Sequence, residues 1–119
     1  MIMNSIKNSI HLIGRLGNDP EFKNLENGNK LVKLNIATKD VYNNLNGEKI
    51  IDTQWHRLIA WGRVAENMNV FLKKGNEIAL TGKLTHNSFK DNQGRMKYYS
   101  EIIVNEFMLL TQSNAKKDA

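Results

Sequence analysis

The chain has 119 residues, with 17 Lys and Arg against 12 Asp and Glu, and a formal net charge of +5 at pH 7. This length suits one domain, and the 40% hydrophobic content is enough to fill a single core. The chain has no cysteine, which excludes a disulfide framework, a thiolate zinc site and cysteine catalysis. The positive charge favours a polyanionic partner and is also compatible with a solvated, mildly basic surface.

The two ends of the chain indicate where the protein resides and how far its domain extends. Residues Met1–His11 contain neither a signal-peptide core nor an apolar run long enough to span a membrane. We therefore expect a protein of the reducing cytoplasm. The segment Gln112–Ala119 is polar and lacks apolar periodicity. One domain over residues 1–111 and a flexible tail over residues 112–119 are predicted.

Alternating apolar residues predict three strands in the first half of the chain. These strands are Ser9–Arg15, Leu31–Thr38 and Gln54–Trp61. Turn-forming Asn, Asp, Pro and Gly residues separate the first two strands. A long polar connection over residues 40–52 precedes the third strand, with a tight turn expected at Asn46–Gly47. We expect this connection to be an exposed hairpin arm.

The second half of the chain adds one helix and two strands. An apolar stripe at helical spacing predicts a helix over Val64–Lys73, with Gly75 as its C-terminal cap. Strands are predicted over Glu77–Thr85 and Tyr98–Leu110, with a hairpin between them. Three strands, one helix and two strands are typical of the five-stranded Greek-key barrel of the OB-fold. The predicted fold is therefore all-β, with the helix plugging one end of the barrel.

The residues needed for most enzyme mechanisms are missing from the sequence. No nucleophile elbow, phosphate-binding loop or cluster of carboxylates occurs. Three histidines lie far apart and in no metal-ligand spacing: His11, His56 and His86. A nuclease remains an alternative, and its candidate acidic residues would be Asp40, Asp52 and Asp91.

Aromatic and basic residues alternate on the predicted strands and hairpins. A strand period of two places Trp55, Arg57 and Trp61 on one face, opposite the core residues Leu58 and Ala60. Unpaired nucleic acid is held by aromatic rings stacked on bases and by cations at phosphates. Core packing is the alternative for every aromatic residue, and the shared face favours binding for the two tryptophans. We assign three other aromatic residues to packing: Phe22, Phe71 and Phe107.

The order of motifs resembles the bacterial single-stranded DNA-binding protein family over residues Asn8–Leu110. The segment Thr53–Glu66, with the sequence TQWHRLIAWGRVAE, is similar to the Trp-His-Arg strand of the family and the start of its helix. The opening strand and turn of the family resemble Ile10–Glu21, with the sequence IHLIGRLGNDPE. Shorter matches are Leu34–Thr38, Leu72–Gly75 and Leu80–Leu84.

The resemblance implies an OB-fold protein that binds single-stranded DNA without sequence specificity in replication, recombination and repair. It implies no catalysis and no cofactor. The stacking positions of the family correspond to four aromatic residues: Tyr42, Trp55, Trp61 and Phe89. Charge position and fold analogy suggest six phosphate contacts: Arg15, Lys33, Arg57, Lys83, Lys90 and Lys97. The family typically forms homotetramers, with homodimers as an alternative, and His56 corresponds to an interface position.

One departure concerns the acidic C-terminal tip through which family members recruit replication and repair enzymes. This sequence ends in Lys116–Ala119, without an acidic run or a terminal aromatic residue. Either a tail has been removed or this member works without such recruitment. A nucleoid-associated cytoplasmic location is expected. An OB-fold primosomal or protein-interaction module that binds nucleic acid weakly is the alternative function.

Overall fold

The computed structural model describes residues 7–110, which form six strands and one helix. The strands are β1 (Ile10–Leu16), β2 (Glu21–Asn24), β3 (Lys30–Asn43), β4 (Lys49–Trp61), β5 (Glu77–Lys90) and β6 (Met96–Leu109), and the helix is α1 (Gly62–Phe71). The hydrogen-bonded order is β1-β5-β6-β4-β3-β2. An additional β1–β3 pairing at Arg15 and Leu16 closes the five long strands into a barrel.

The connectivity confirms the predicted five-stranded Greek-key OB-fold barrel with one helix between the third and fourth long strands. Most neighbouring strands are antiparallel. β4 and β6 instead pair in parallel, with Leu58 opposite Ile102 and Ile59 opposite Ile103. This short parallel contact brings the two longest hairpins of the chain side by side, which positions the site described below.

Strand alternation explains which residues fill the barrel. Ile36 on β3, Leu58 on β4 and Ile78 on β5 are fully buried. The residues directly before and after each of them point to the outside of the barrel. From α1, Ala65 and Met68 are also fully buried and join the same core cluster. The helix therefore plugs one end of the barrel, as predicted.

The helix begins and ends two residues earlier than predicted, at Gly62 and Phe71. Gly62 has a φ of +62°, a left-handed conformation that favours glycine, and it turns the chain sharply from β4 into α1. Leu72 caps the C-terminus of the helix, and its N–H donates to the carbonyl of Met68 at 3.0 Å. Gly75 is therefore not the cap. Its N–H instead donates to the carbonyl of Leu16 at 2.9 Å, which ties the loop to β1.

The assignment of Phe71 to core packing is wrong, because 60% of this residue is exposed. Phe71 is the last residue of the helix. Met68 and Leu72 on either side of it are buried, whereas the Phe71 side chain points to the exposed side of the helix. The other two phenylalanines assigned to packing, Phe22 and Phe107, are partly buried and lie against the core.

Two hairpins extend further than the predicted strands. β3 continues from the barrel to Asn43, and β4 starts at Lys49, so the predicted polar connection is mostly paired strand. The tight turn lies where expected, since the N–H of Gly47 donates to the carbonyl of Asn44 at 3.0 Å. β2 was not predicted. Its four residues form a strand by pairing with the edge of β3.

An ion pair anchors the helix to the barrel. Lys30 Nζ on β3 lies 2.6 Å from Glu66 Oε2 on α1. The hydrogen bond from Lys30, together with its charge, lowers the pKa of the Glu66 carboxyl below its ordinary value. This contact links the first half of α1 to the start of β3.

The predicted domain end at residue 111 and the predicted tail over residues 112–119 lie outside the described residues. Within residues 7–110, no helix has the length and apolar character needed to cross a membrane.

Candidate nucleic-acid interface

β4 supplies the centre of an exposed face on the outside of the barrel. Trp55, Arg57 and Trp61 point outward, whereas Leu58 and Ala60 lie in the core, as the strand period predicts. Trp55 is 63% exposed and Trp61 is 44% exposed. Ile59 points outward with them and is nevertheless buried, because it sits in mid-sheet between Lys33 and Ile103. Both tryptophans are therefore available to a ligand.

Cross-strand register brings cations from other strands to the same face. Arg15 on β1 lies opposite Ala37, which lies opposite Trp55. A second row runs across the barrel from Lys33 through Ile59 and Ile103 to Lys83. The first row therefore carries one basic residue and the second row carries two.

The β5–β6 hairpin extends this face with two further aromatic rings. The ring centroids of Phe89 and Tyr99 are 6.0 Å apart at an angle of 59°. The Arg57 guanidinium carbon lies 4.7 Å from the centroid of Tyr99, a cation–π contact. We call the whole surface the aromatic–basic face, and its members are Arg15, Lys33, Trp55, Arg57, Trp61, Lys83, Phe89, Lys97 and Tyr99.

Two sequence-predicted site residues do not lie on this face. Tyr42 is paired with Ile50, and alternation along β3 places it on the opposite side of the hairpin from Trp55. Lys90 is paired with Met96 and likewise lies on the opposite side of the β5–β6 hairpin from Lys97. Both side chains are exposed. The structure therefore groups three of the four predicted stacking residues and five of the six predicted phosphate contacts.

The charged neighbours of the cations on the aromatic–basic face differ from one cation to the next. Over residues 7–110, the ion pairs include Lys30–Glu66, Arg63–Glu66 and Arg95–Asp91, which lie away from the cations of this face. Arg15 alone is tied to the backbone, since its Nη1 donates to the carbonyl of Gly75 at 3.1 Å. Two acidic residues lie directly across the sheet from cations of the face, Glu77 opposite Arg15 and Glu21 opposite Lys33. Lys83 and Lys97 lie opposite Ile103 and Phe89 instead, so they are the cations best placed to meet an anionic ligand.

His56 points away from the aromatic–basic face. Its Nε2 lies 3.0 Å from Thr38 Oγ1, and it is partly buried. It continues the inward-facing row of Leu16 and Ile36. His56 as an interface residue stays a prediction. In the described range, no three His, Asp or Glu side chains come together closely enough to hold a metal ion.

A profile of the single-strand binding protein family matches residues 7–110, which includes the whole barrel. The chain belongs to this family. Relatives in the single-strand binding protein family include single-stranded DNA-binding protein 1 of Chlorobaculum tepidum. That protein is 36% identical over 104 residues, which cover 87% of this chain and 64% of the relative. Single-stranded DNA-binding protein 1 of Xylella fastidiosa is also 36% identical, over 87% of this chain and 76% of the relative. The chain thus spans about two thirds of the length of these curated relatives.

Two solved structures have the same architecture. The Plasmodium falciparum protein in complex with single-stranded DNA has a TM-score of 0.79 and 29% identity, over 89% of this chain and 95% of that one. A deletion mutant of the single-stranded DNA binding protein from Thermus aquaticus has a TM-score of 0.76 and 24% identity, over 90% of this chain and 52% of that one. The second likeness concerns the fold alone.

Tyr99 is the member of the face that the sequence-based site prediction did not include. Ile102 is buried and points inward, and Tyr99 lies three residues before it, so the strand period of two would have placed Tyr99 on the outward face. Its contact with Arg57 also depends on the parallel pairing of β4 and β6, which no local pattern in the sequence indicates.

Gly17 supports the position of the Trp55 ring. A Cβ at Gly17 would lie 2.5 Å from Cζ3 and 2.9 Å from Cη2 of Trp55, which is closer than van der Waals contact. We therefore expect Gly17→Ala to push the exposed ring aside and to weaken ligand binding several-fold, with little loss of stability. Chemical denaturation and strand-binding titrations test this expectation. In a Trp55→Ala background, Gly17→Ala should cause no further loss of binding, and an equal loss in both backgrounds would contradict it.

Proposed function

We propose that this protein binds single-stranded DNA without sequence specificity and catalyses no reaction. It would act in the cytoplasm on the nucleoid, where it covers strands exposed in replication, recombination and repair. A protein that binds only the open form of DNA shifts the equilibrium away from hairpins and duplex by mass action. Hairpin melting therefore needs no energy source.

The continuous run of Phe89, Tyr99, Arg57 and Trp55 carries this proposal. The rings of Phe89 and Tyr99 lie 6.0 Å apart, and Arg57 covers Tyr99 at 4.7 Å. Trp55 and Arg57 follow each other on the outward side of β4 and line one cavity of about 310 Å³ with Tyr99. Every base offers a flat π-face, so such a platform accepts any sequence.

The cations around these rings favour phosphate binding. Lys33 and Lys83 lie in one row across the barrel, and Lys97 lies opposite Phe89. Phosphate contacts hold a strand without reading its bases. Stacking by Tyr42 and phosphate contact by Lys90 would require the strand to pass over the opposite sides of the two hairpins.

A titration of tryptophan fluorescence with oligo(dT), with a duplex of equal length as control, tests the proposed function. Strong quenching by the single strand alone is expected, because Trp55 and Trp61 are exposed on the face. If neither form binds or quenches, the family relationship concerns only the fold in this chain, and a protein-interaction role becomes the better hypothesis.

We further propose that four protomers associate through the outer surface of β1, β5 and β6. Ile13 and Met108 are exposed there and line a cavity of about 600 Å³ with His11, Ala79 and Phe107. Among residues 7–110, the edge of β1 before Arg15 has no strand partner, since only Arg15 and Leu16 pair with β3. Exposed apolar surface next to an unpaired strand edge favours contact with another chain.

The variant Ile13→Asp/Met108→Asp should therefore shift the protein to a smaller assembly, because it places charges in an apolar contact. Size-exclusion chromatography with light scattering measures the change. Val70→Asp is a matched control, since Val70 is an exposed apolar residue on α1, outside this surface. A wild-type protein that is already monomeric would contradict the proposed tetramer.

A further inference from the structure

The side of the β3–β4 hairpin that points away from the aromatic–basic face combines an exposed aromatic ring with acidic side chains. Asp40 and Asp52 lie directly opposite each other on this side, and the next pair towards the tip is Tyr42 and Ile50. Tyr42 is 54% exposed, and both acidic side chains are exposed. Gln54 Nε2 donates to Asp52 Oδ1 at 3.1 Å. We call Asp40, Tyr42, Ile50 and Asp52 the acidic hairpin side.

The charges of this hairpin are sorted by side, and the sorting makes the acidic hairpin side unsuited to a DNA strand. Lys39 and Lys49 lie on the other side, together with Trp55. Two carboxylates directly opposite each other already repel one another, and a phosphate backbone would add a further negative charge. The exposed ring of Tyr42 therefore suits a surface that is both apolar and positively charged.

The C-terminal end of α1 is such a surface. Val70 and Phe71 are 71% and 60% exposed, and the exposed cations Lys73 and Lys74 follow them. The N–H of Lys74 donates to Asp19 Oδ1 at 2.8 Å, which fixes this loop and places one carboxylate beside the two lysines. The lysines outnumber that carboxylate, so the surface stays positive. We call Val70, Phe71, Lys73 and Lys74 the basic helix end.

The acidic hairpin side and the basic helix end do not meet within one protomer. Asp52 and Trp61, where α1 begins to follow β4, are nine positions apart on the strand, which is about 30 Å. The ten residues of α1 span only about 15 Å, so its end does not reach back to the hairpin. A contact between these two different surfaces therefore joins separate copies. Such a heterologous contact leaves one of each surface open and can continue from copy to copy.

We propose that the acidic hairpin side of one protomer docks on the basic helix end of a second copy of this chain bound next to it on the same strand. Tyr42 packs on Phe71, and the two carboxylates face the two lysines. The inference goes beyond strand binding and rests on the proposed function, because the strand holds the copies together at a high effective concentration. The contact makes the coating of a long strand cooperative. On a strand filled by one assembly, it has no partner and contributes nothing.

The test exchanges the charges of the two surfaces. The variants are Asp40→Lys/Asp52→Lys, Lys73→Glu/Lys74→Glu and the combination of all four substitutions. The combination keeps the formal net charge of +5, so it separates the contact from the general attraction to DNA. Each protein is titrated onto long poly(dT) and onto an oligo(dT) that light scattering shows to hold one assembly. The ratio of the two affinities measures cooperativity.

We expect this ratio to fall about tenfold in each double variant, because attraction between the surfaces turns into repulsion, and to return in the combination. Unchanged ratios in the double variants, no recovery in the combination, or a wild type that coats poly(dT) without cooperativity would each overturn the contact and leave strand binding intact.

The aromatic pair gives a second readout that does not change any charge. Tyr42→Ala and Phe71→Ala should each lower the ratio and leave the affinity for the short strand unchanged. Weaker binding of the short strand by Tyr42→Ala would place DNA on the acidic hairpin side and overturn the inference. Failure of the wild type to bind either strand would instead overturn the proposed function.

Discussion

Replacing both tryptophans of the aromatic–basic face, as Trp55→Ala/Trp61→Ala, should weaken binding to oligo(dT) by about 2 to 6 kcal/mol, or roughly 30-fold to 20,000-fold in Kd. Each stacked base contributes about 1 to 3 kcal/mol. The two residues are six positions apart on β4, a separation of about 20 Å at strand spacing. Sites this far apart act independently, so the two losses should add.

Fluorescence anisotropy of a labelled strand measures this loss, since the variant has no tryptophan of its own. Phe71→Ala is the matched control, because Phe71 is a similarly exposed aromatic residue on α1, outside the face. Its binding should equal that of the wild type. Thermal unfolding separates a binding effect from a folding effect, and Trp61, which is only 44% exposed and precedes the helix, should account for most of any stability loss. Undiminished binding by the double variant would rule out the stacking mechanism.

The barrel could be predicted from the sequence because its core depends on local alternation. Leu34 and Ile36 on β3, and Leu58 and Ala60 on β4, mark the inward face of their strands without reference to other parts of the chain. The same alternation placed Trp55 and Trp61 on the outward face. Predictions that needed only one strand and its period were therefore confirmed.

Features that depend on distant pairing could not be predicted in the same way. β2 has no alternation of its own and forms because the edge of β3 lies beside it. The hairpin arm over residues 40–52 was predicted, but its continuous strand pairing out to Asn43 was not, and the orientation of Tyr42 follows from that pairing. Tyr99 meets Arg57 only because β6 runs parallel to β4.

Phe71 shows how a correct pattern can give a wrong residue assignment. The apolar stripe predicted the helix and the burial of Met68, which is confirmed. The stripe did not show where the helix ends relative to the barrel. The helix ends at Phe71, whose side chain is exposed. Leu72, the next residue, is buried in the core. Helix termini depend on the packing of the whole fold more than on local sequence.

Affinity for single-stranded DNA should fall steeply as salt rises, with a slope of about 3.5 in log Kd against log salt if all five cations of the face contact phosphates. Each phosphate neutralised on a single strand contributes about 0.7 to this slope through release of bound counterions. Raising salt from about 50 to 200 mM would then weaken binding roughly 100-fold. The five residues are Arg15, Lys33, Arg57, Lys83 and Lys97.

Lys97 and Lys90 provide a matched pair within one hairpin, because they have the same charge and lie on opposite sides of it. Lys97→Ala should lower the slope by about 0.7, whereas Lys90→Ala should leave it unchanged. Titrations of oligo(dT) at several salt concentrations give each slope directly. Equal slopes for the two variants, both below the wild type, would mean that the strand wraps around the whole β5–β6 hairpin. A strand that wraps the β3–β4 hairpin in the same way would contact Tyr42, which lies on the corresponding side of that hairpin.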